Sequence, residues 1–183
     1  RTWIARQLPL ALAACSGTLN RFAADSTADV LAAGKPAIER EPDLDLAGAA
    51  LPTQLKLAES LLEVSPENPV LLGLNAQAYS QYAYGFIEEE SEAIADSDPE
   101  RAASLKARAR ELYLRGMKFG LRLLALEDGR FPGAFYGDND KLKAILAELD
   151  EDAVPGLFWS AFGLAGAINV GREQPWLIAW MPK

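Results

Sequence analysis

Residues 55–79 read LKLAESLLEVSPENPVLLGLNAQAY, and the punctuation of that stretch decides the fold class. Leu55, Ala58, Leu61 and Leu62 recur at spacings of three and four, the period at which side chains share one face of an α-helix. Ser65-Pro66 stops that helix, because proline lacks a backbone donor and turns the preceding residue away from helical dihedrals. Asn68 then caps a new helix and Pro69 takes its first position, where a missing N–H is tolerated. Leu72, Ala76, Tyr79, Ala83 and Phe86 continue as one apolar stripe. Two helices joined by so short a turn pack as antiparallel neighbours.

The same grammar extends in both directions. Helical periodicity begins at Pro52; residues 15–50, rich in Ala, Gly, Asp and Pro, read as an anchor, a tether and an irregular lead-in. Downstream, Glu88-Glu89-Glu90, Asp96 and Asp98 form an acidic segment that ends where Asp98-Pro99-Glu100 supplies an N-cap, a first-turn proline and an acidic first turn. A long helix over 99–126 is expected, with Leu105, Ala109, Leu112, Gly116, Phe119, Leu123 and Leu124 on its apolar side and Lys106, Arg108 and Arg110 elsewhere. Residues 129–137 read as a loop. Asp138 or Asn139 caps a helix carrying Leu142, Ile145, Leu146 and Leu149; with Asp140 they lack the spacing of a calcium loop. Pro155 opens an apolar helix whose packing seam is expected at Phe158, Trp159 and Phe162, stopping at Gly171. The stub 175–181, with Trp176, Leu177, Ile178 and Trp180, is so apolar that it needs cover, and the natural chain is expected to continue past Lys183. No segment alternates with a period of two, so the class is all-α.

Helix pairs joined by proline-bearing turns suggest degenerate tetratricopeptide-like stacking of antiparallel pairs over 51–183. With Pro66 as a closing proline, Leu72, Asn75, Ala76 and Tyr79 fall at the Trp, Leu, Gly and Tyr positions of the next helix, and only Tyr79 matches. Trp159-Ser160-Ala161-Phe162-Gly163 fits the spacing better, with Gly166 where the tyrosine belongs. Gly116 and Gly120 share a helix face and allow a neighbour to approach closely.

Near the N-terminus, Leu12-Ala13-Ala14-Cys15 reads as a bacterial lipobox, preceded by Arg1, Arg6 and the apolar run 8–14 of a secretory leader. Residues 1–14 are then a lipoprotein signal peptide and Cys15 the lipidation site, which places the protein in the periplasm on an acyl anchor. Ser16, where an aspartate would favour the inner membrane, favours the outer one. Cys15 is the only cysteine and there is no histidine, so the usual residues for zinc, haem and thiol or imidazole catalysis are missing, and no enzyme, metal or cofactor is expected. The formal net charge is −8, which argues against nucleic acid as a partner.

Taken together, the lipobox, Pro66-Glu67-Asn68-Pro69 before Leu71-Leu72, Tyr79 through Phe86-Ile87-Glu88, Ala109 to Gly116 and the run Gly156 to Gly163 resemble the T-component (TatT) family of TRAP transporters. The resemblance implies a homotrimeric lipoprotein of degenerate tetratricopeptide-like helices. Each protomer would enclose a channel or cavity, and the trimer would dock a periplasmic solute-binding protein and pass on a small apolar ligand; the family pattern implies further C-terminal helices after Lys183. The alternative is a tetratricopeptide-type envelope scaffold that contacts proteins and handles no small molecule.

Tyr79, Tyr82, Tyr84 and Phe86 are candidates to line a ligand cavity, since aromatic walls bury apolar ligands and phenols orient them; helix core is the competing role. Asn75, an amide in an apolar stripe, must bond a neighbouring helix or a ligand. Trp159 is the cavity candidate of the last long helix. The acidic run at Glu88, Glu89, Glu90 and Glu92 offers itself to calcium or a basic partner, against its reading as a solvated face.

Overall fold

The computed structural model describes residues 8–183, with side chains from residue 17 onward. The signal-peptide and lipidation assignments at residues 1–15 fall outside the described side chains. Among the described residues the chain is all-α, as expected, with no strand.

Residues 15–50, read as anchor, tether and irregular lead-in, are largely helical. They form helix α1 (Leu8–Glu39) and the opening of α2 (Leu44–Leu62). The packing face of α1 is made of Ala24 and Ala28, both buried, and alanines leave little hydrophobic periodicity to read even though they are the best helix formers. Asp43 caps α2 by accepting from the Leu46 N–H at 3.0 Å. Pro52, expected to open that helix, sits inside it. Asn68 behaves as predicted at the head of α3 (Pro69–Tyr82), accepting from the Leu71 N–H at 2.9 Å. Its amide also donates to Asp25 at 2.7 Å, tying α1 to the turn. Hydrogen bonds from Ser65 and then Asn68 hold the Asp25 carboxyl below its usual range.

The stripe of α3 changes register beyond Tyr82. Residues Ala83–Glu88 form a π-turn that leads into α4 (Glu89–Ala93). A π-turn holds one residue more than an α-turn and advances the buried face by that amount. Ile87 and Glu88 are therefore buried, whereas Phe86, expected in the stripe, is half-buried beside Gly48 of α2.

Helix α5 (Pro99–Glu127), capped by Asp98, runs about 44 Å through the middle of the structure. Its start meets the end of the α3–α4 rod, where Ser91 Oγ donates to the Ala102 carbonyl at 2.9 Å. Its far end meets the beginning of α3, where Arg122 donates to the Pro66 carbonyl at 2.7 Å. The two rods are thus antiparallel. Downstream lie α6 (Phe131–Tyr136), α7 (Asn139–Leu146), a 3₁₀ turn (Glu151–Ala153), α8 (Val154–Val170) and α9 (Pro175–Ile178). The segment expected as a loop over 129–137 is helical at its centre because Phe131, Ala134 and Phe135 turn into the core.

The seam of α8 also departs from expectation. Gly156, Ser160, Gly163, Leu164 and Ala167 are buried along α5, while Phe158 is exposed and Trp159 half-buried. Small residues let the two backbones approach, and the aromatics are left to the opposite side. The stretch Glu151–Val170 is long and apolar enough to cross a bilayer, with mean hydropathy 1.4, and its small-residue face is buried on α5. Phe119 of α5 joins Leu55, Leu62, Leu72 and Tyr79 in one core cluster, while Tyr113, Met117, Leu121 and Leu124 join Phe131, Leu142, Leu164 and Leu177 in the other.

A Cβ at Gly116 would meet Ser80 Oγ and the Ala76 carbonyl oxygen, the latter at 2.9 Å. A Cβ at Gly163 would lie 2.7 Å from the Tyr113 carbonyl oxygen and 2.8 Å from the Met117 nitrogen. A Cβ at Gly73 meets only Leu123 Cδ2, at an ordinary 3.8 Å. Gly163→Ala should therefore lose about 1–3 kcal/mol by overpacking, and Gly73→Ala should gain up to about 1 kcal/mol from helix propensity. Urea unfolding of the two variants checks the opposite signs; equal effects would refute the close approach.

Candidate functional site

An open cavity of about 660 Å³ lies between α5, α6, α7 and α8. Leu121 and Leu124 wall it from α5, Phe131 and Phe135 from α6, Leu142 and Leu146 from α7, and Leu157, Leu164 and Ile168 from α8. The volume falls within the ~300–1,000 Å³ of small-molecule sites, and the lining is apolar as theirs is. Ser160 is on the wall, but its Oγ lies against Gly120 and is buried without a partner. Among the described lining residues the only charged side chains are Arg172 and Lys183.

A polar chain runs up to this cavity from the π-turn, buried at Glu88 and Tyr113 and exposed at Asn169 and Arg172. Glu88 accepts from Tyr113 Oη at 2.5 Å and from Asn169 Nδ2 at 2.9 Å. Asn169 Oδ1 in turn accepts from Arg172 at 2.5 Å. Burial above all, then the hydrogen bond to Glu88 and its charge, pushes the Tyr113 phenol far above its ordinary range. Asn169 and Arg172 line both the apolar cavity and a smaller polar pocket of about 350 Å³ that includes Glu88, Glu92, Lys106 and Glu173. Sequence reasoning placed Glu88 in a solvated acidic run and did not single out Tyr113, Asn169 or Arg172. The extra residue of the π-turn, which turns Glu88 inward, leaves no trace in an α-helical period.

The six ligand candidates lie elsewhere, and none lines this cavity. Asn75 is fully buried; its Nδ2 donates to the Leu71 carbonyl at 2.8 Å, one turn back in its own helix, and its Oδ1 has no partner. Tyr79 stacks on Phe119 with ring centres 5.7 Å apart and donates to Glu59 at 2.9 Å. Arg115 lies over the Tyr79 ring and pairs with Glu59, as does Lys56. Burial opposes ionisation of Glu59, yet the hydrogen bonds from Lys56, Arg115 and Tyr79 outweigh it and its pKa is lowered. Tyr82 and Phe86 pair with centres 5.6 Å apart. Tyr84 is exposed and meets Phe162 edge-on, and Trp159 packs edge-on to Phe158 and Phe162. Tyr84 and Phe158 are thus exposed on an aromatic patch whose other members, Trp159 and Phe162, are half-buried against the core clusters.

Residues 40–183 match the sequence profile of the TRAP transporter T-component, TAtT. The chain belongs to that family. The family is a transporter component and not an enzyme, in keeping with the TRAP-type resemblance of the motifs. An uncharacterized protein of Treponema pallidum (strain Nichols) is 31% identical over 134 residues, which cover 69% of this chain and 40% of that relative. The chain therefore spans about two fifths of the length of the relative it matches. This T-component has an apolar hollow with a rim guanidinium that is tied through Asn169 to a buried carboxylate.

Tyr113→Phe keeps the ring and removes the donor to Glu88, leaving a buried carboxylate oxygen unpaired. It should cost about 1–3 kcal/mol of unfolding free energy, read from urea midpoints; a neutral result would mean that Glu88 is not held as described. The Tyr79 phenol, raised chiefly by burial and then by its bond to Glu59, is pushed up to about 12 from 10.0. A raised folded-state pKa contributes stability that is complete below pH 10 and is lost as pH rises toward 12. Tyr79→Phe should remove that part of the alkaline loss, followed by tyrosinate absorbance alongside unfolding.

Proposed function

We propose that this T-component is a lipid-anchored periplasmic accessory of a TRAP-type solute transport system. In this reading it binds a solute-binding protein and passes a small apolar ligand through its helical body. The observation that carries the reading is the apolar cavity of about 660 Å³ in a chain of this family. An envelope scaffold needs an open polar groove for an extended segment, and a hollow walled by leucine and phenylalanine suits a small apolar guest instead.

The remaining parts extend the same reading. Cys15, closing Leu12-Ala13-Ala14, carries the acyl anchor, with the outer membrane as the favoured residence, and the full-length protein assembles as a homotrimer. The patch made by exposed Tyr84 and Phe158 with half-buried Trp159 and Phe162 is where the solute-binding protein docks, because aromatics supply much of the energy of protein interfaces. Asn75, Tyr79, Tyr82 and Phe86 shape the body behind that surface.

Native mass spectrometry of the full-length protein without its anchor, alone and with its solute-binding protein, tests the assembly. A trimer that takes up the partner in fixed ratio is expected; a monomer that ignores the partner at roughly micromolar concentration would end the transport reading. Cys15→Ala should move the precursor from the membrane to the soluble fraction, and a variant that stays membrane-bound would remove the anchor from the proposal.

A further inference from the structure

The charge of the cavity rim is one-sided. Arg172 and Lys183 are both cationic, and among the described residues neither takes part in an ion pair. Lys183 rests one ammonium donor on the Gly137 carbonyl at 2.7 Å. Arg172 uses a single bond, from Nη2 to Asn169 Oδ1. A guanidinium has five donors and an ammonium three, so both groups keep donors for an acceptor from outside. Arg172 is also aimed. Asn169 cannot turn without breaking its bond to Glu88, and Glu88 is held from the other side by Tyr113. A chain of three side chains from three helical segments thereby fixes a cation at the edge of an apolar hollow.

The geometry points to an amphiphile as the ligand of this cavity, with a single alkyl chain along the leucine and phenylalanine walls and an anionic head group, carboxylate or phosphate, at Arg172 and Lys183. A cationic head would meet two like charges, and an uncharged one would leave the charge-assisted bonds unmade. The polar pocket beyond Asn169 and Arg172 carries Glu88, Glu92 and Glu173 against Lys106. Its carboxylates repel an anion and keep the head on the cavity side. This inference rests on the transport reading of the same cavity and names the ligand class.

Isothermal titration of the full chain without its anchor compares dodecanoate, dodecanol and dodecyltrimethylammonium, probes that share a chain and differ in head. Dodecanoate should bind roughly tenfold or more tightly than dodecanol, the worth of a hydrogen bond to a charged group. Arg172→Gln should erase most of that difference by weakening dodecanoate far more than dodecanol, and Lys183→Gln should act in the same direction. Both side chains are at the rim, and circular dichroism confirms that each variant is folded. Lysophosphatidylglycerol, run beside dodecanoate, tells a membrane-derived amphiphile from a free acid by which binds more tightly. Equal binding of dodecanol and dodecanoate, tighter binding of the ammonium probe, no binding of any probe, or two variants without effect would each overturn the inference. Capture of the solute-binding protein is measured on the same samples. Partner capture without head-group discrimination refutes the ligand class alone, and discrimination without partner capture refutes the transport reading alone.

Discussion

The near-contact of backbones along α5 is the constraint on which the structure depends. Gly116 brings α3 so close that the Ala76 carbonyl would touch an added methyl, and Gly120 does the same for Ser160 and Gly156 of α8. Gly163 answers from α8 against Tyr113 and Met117. Each helical glycine gives up about 1 kcal/mol of propensity relative to alanine, which close packing on both flanks offsets. Because α5 feeds both core clusters, its spacing from α3 and α8 sets the position of everything else. The cavity lies beyond this seam, where Phe131 and Phe135 of α6 and Leu142 and Leu146 of α7 wall it opposite α8.

The same spacing makes room for a buried carboxylate. Glu88 has little access to water, and a charge in that position is tolerable only when donors satisfy it. Tyr113 comes from α5 and Asn169 from α8, so the pair can converge only if both helices keep their registers against the π-turn. The polar chain therefore favours one relative sliding of three rods, a selectivity that apolar packing, tolerant of small shifts, supplies less sharply.

How much of this was legible follows from what kind of signal each element leaves. Caps and prolines act locally, and Asn68-Pro69, Asp98-Pro99 and Asp138 start helices where the sequence says they should. The stripe of α3 was readable as far as Ala83 and failed where the π-turn inserted its extra residue, so Phe86 and Glu88 exchanged the roles their spacing suggests. Helix α1 was hidden because its buried face is alanine, and the seam of α8 because glycine and serine hold it while its conspicuous aromatics face away. The cavity was illegible for another reason: Leu121, Phe131 and Leu164 look the same in sequence whether they face a neighbour or a hollow. Arg172, one arginine among several, acquires meaning only from Asn169 and Glu88, 81 residues apart.

That separation has a consequence for the order in which the chain assembles. A polypeptide delivered N-terminus first can stack α1, α2, α3 and α5 as soon as residue 127 has emerged, since their shared cluster draws only on Leu55, Tyr79, Phe119 and their neighbours, with Trp159 packing on its edge. Glu88 at that moment has Tyr113 but not Asn169, and one carboxylate oxygen must still find water. Packing of α8 on α5 brings the Asn169 amide to that oxygen. The later helices thus have a cluster of earlier residues to pack on, and the hollow exists only where α6, α7 and α8 are in place.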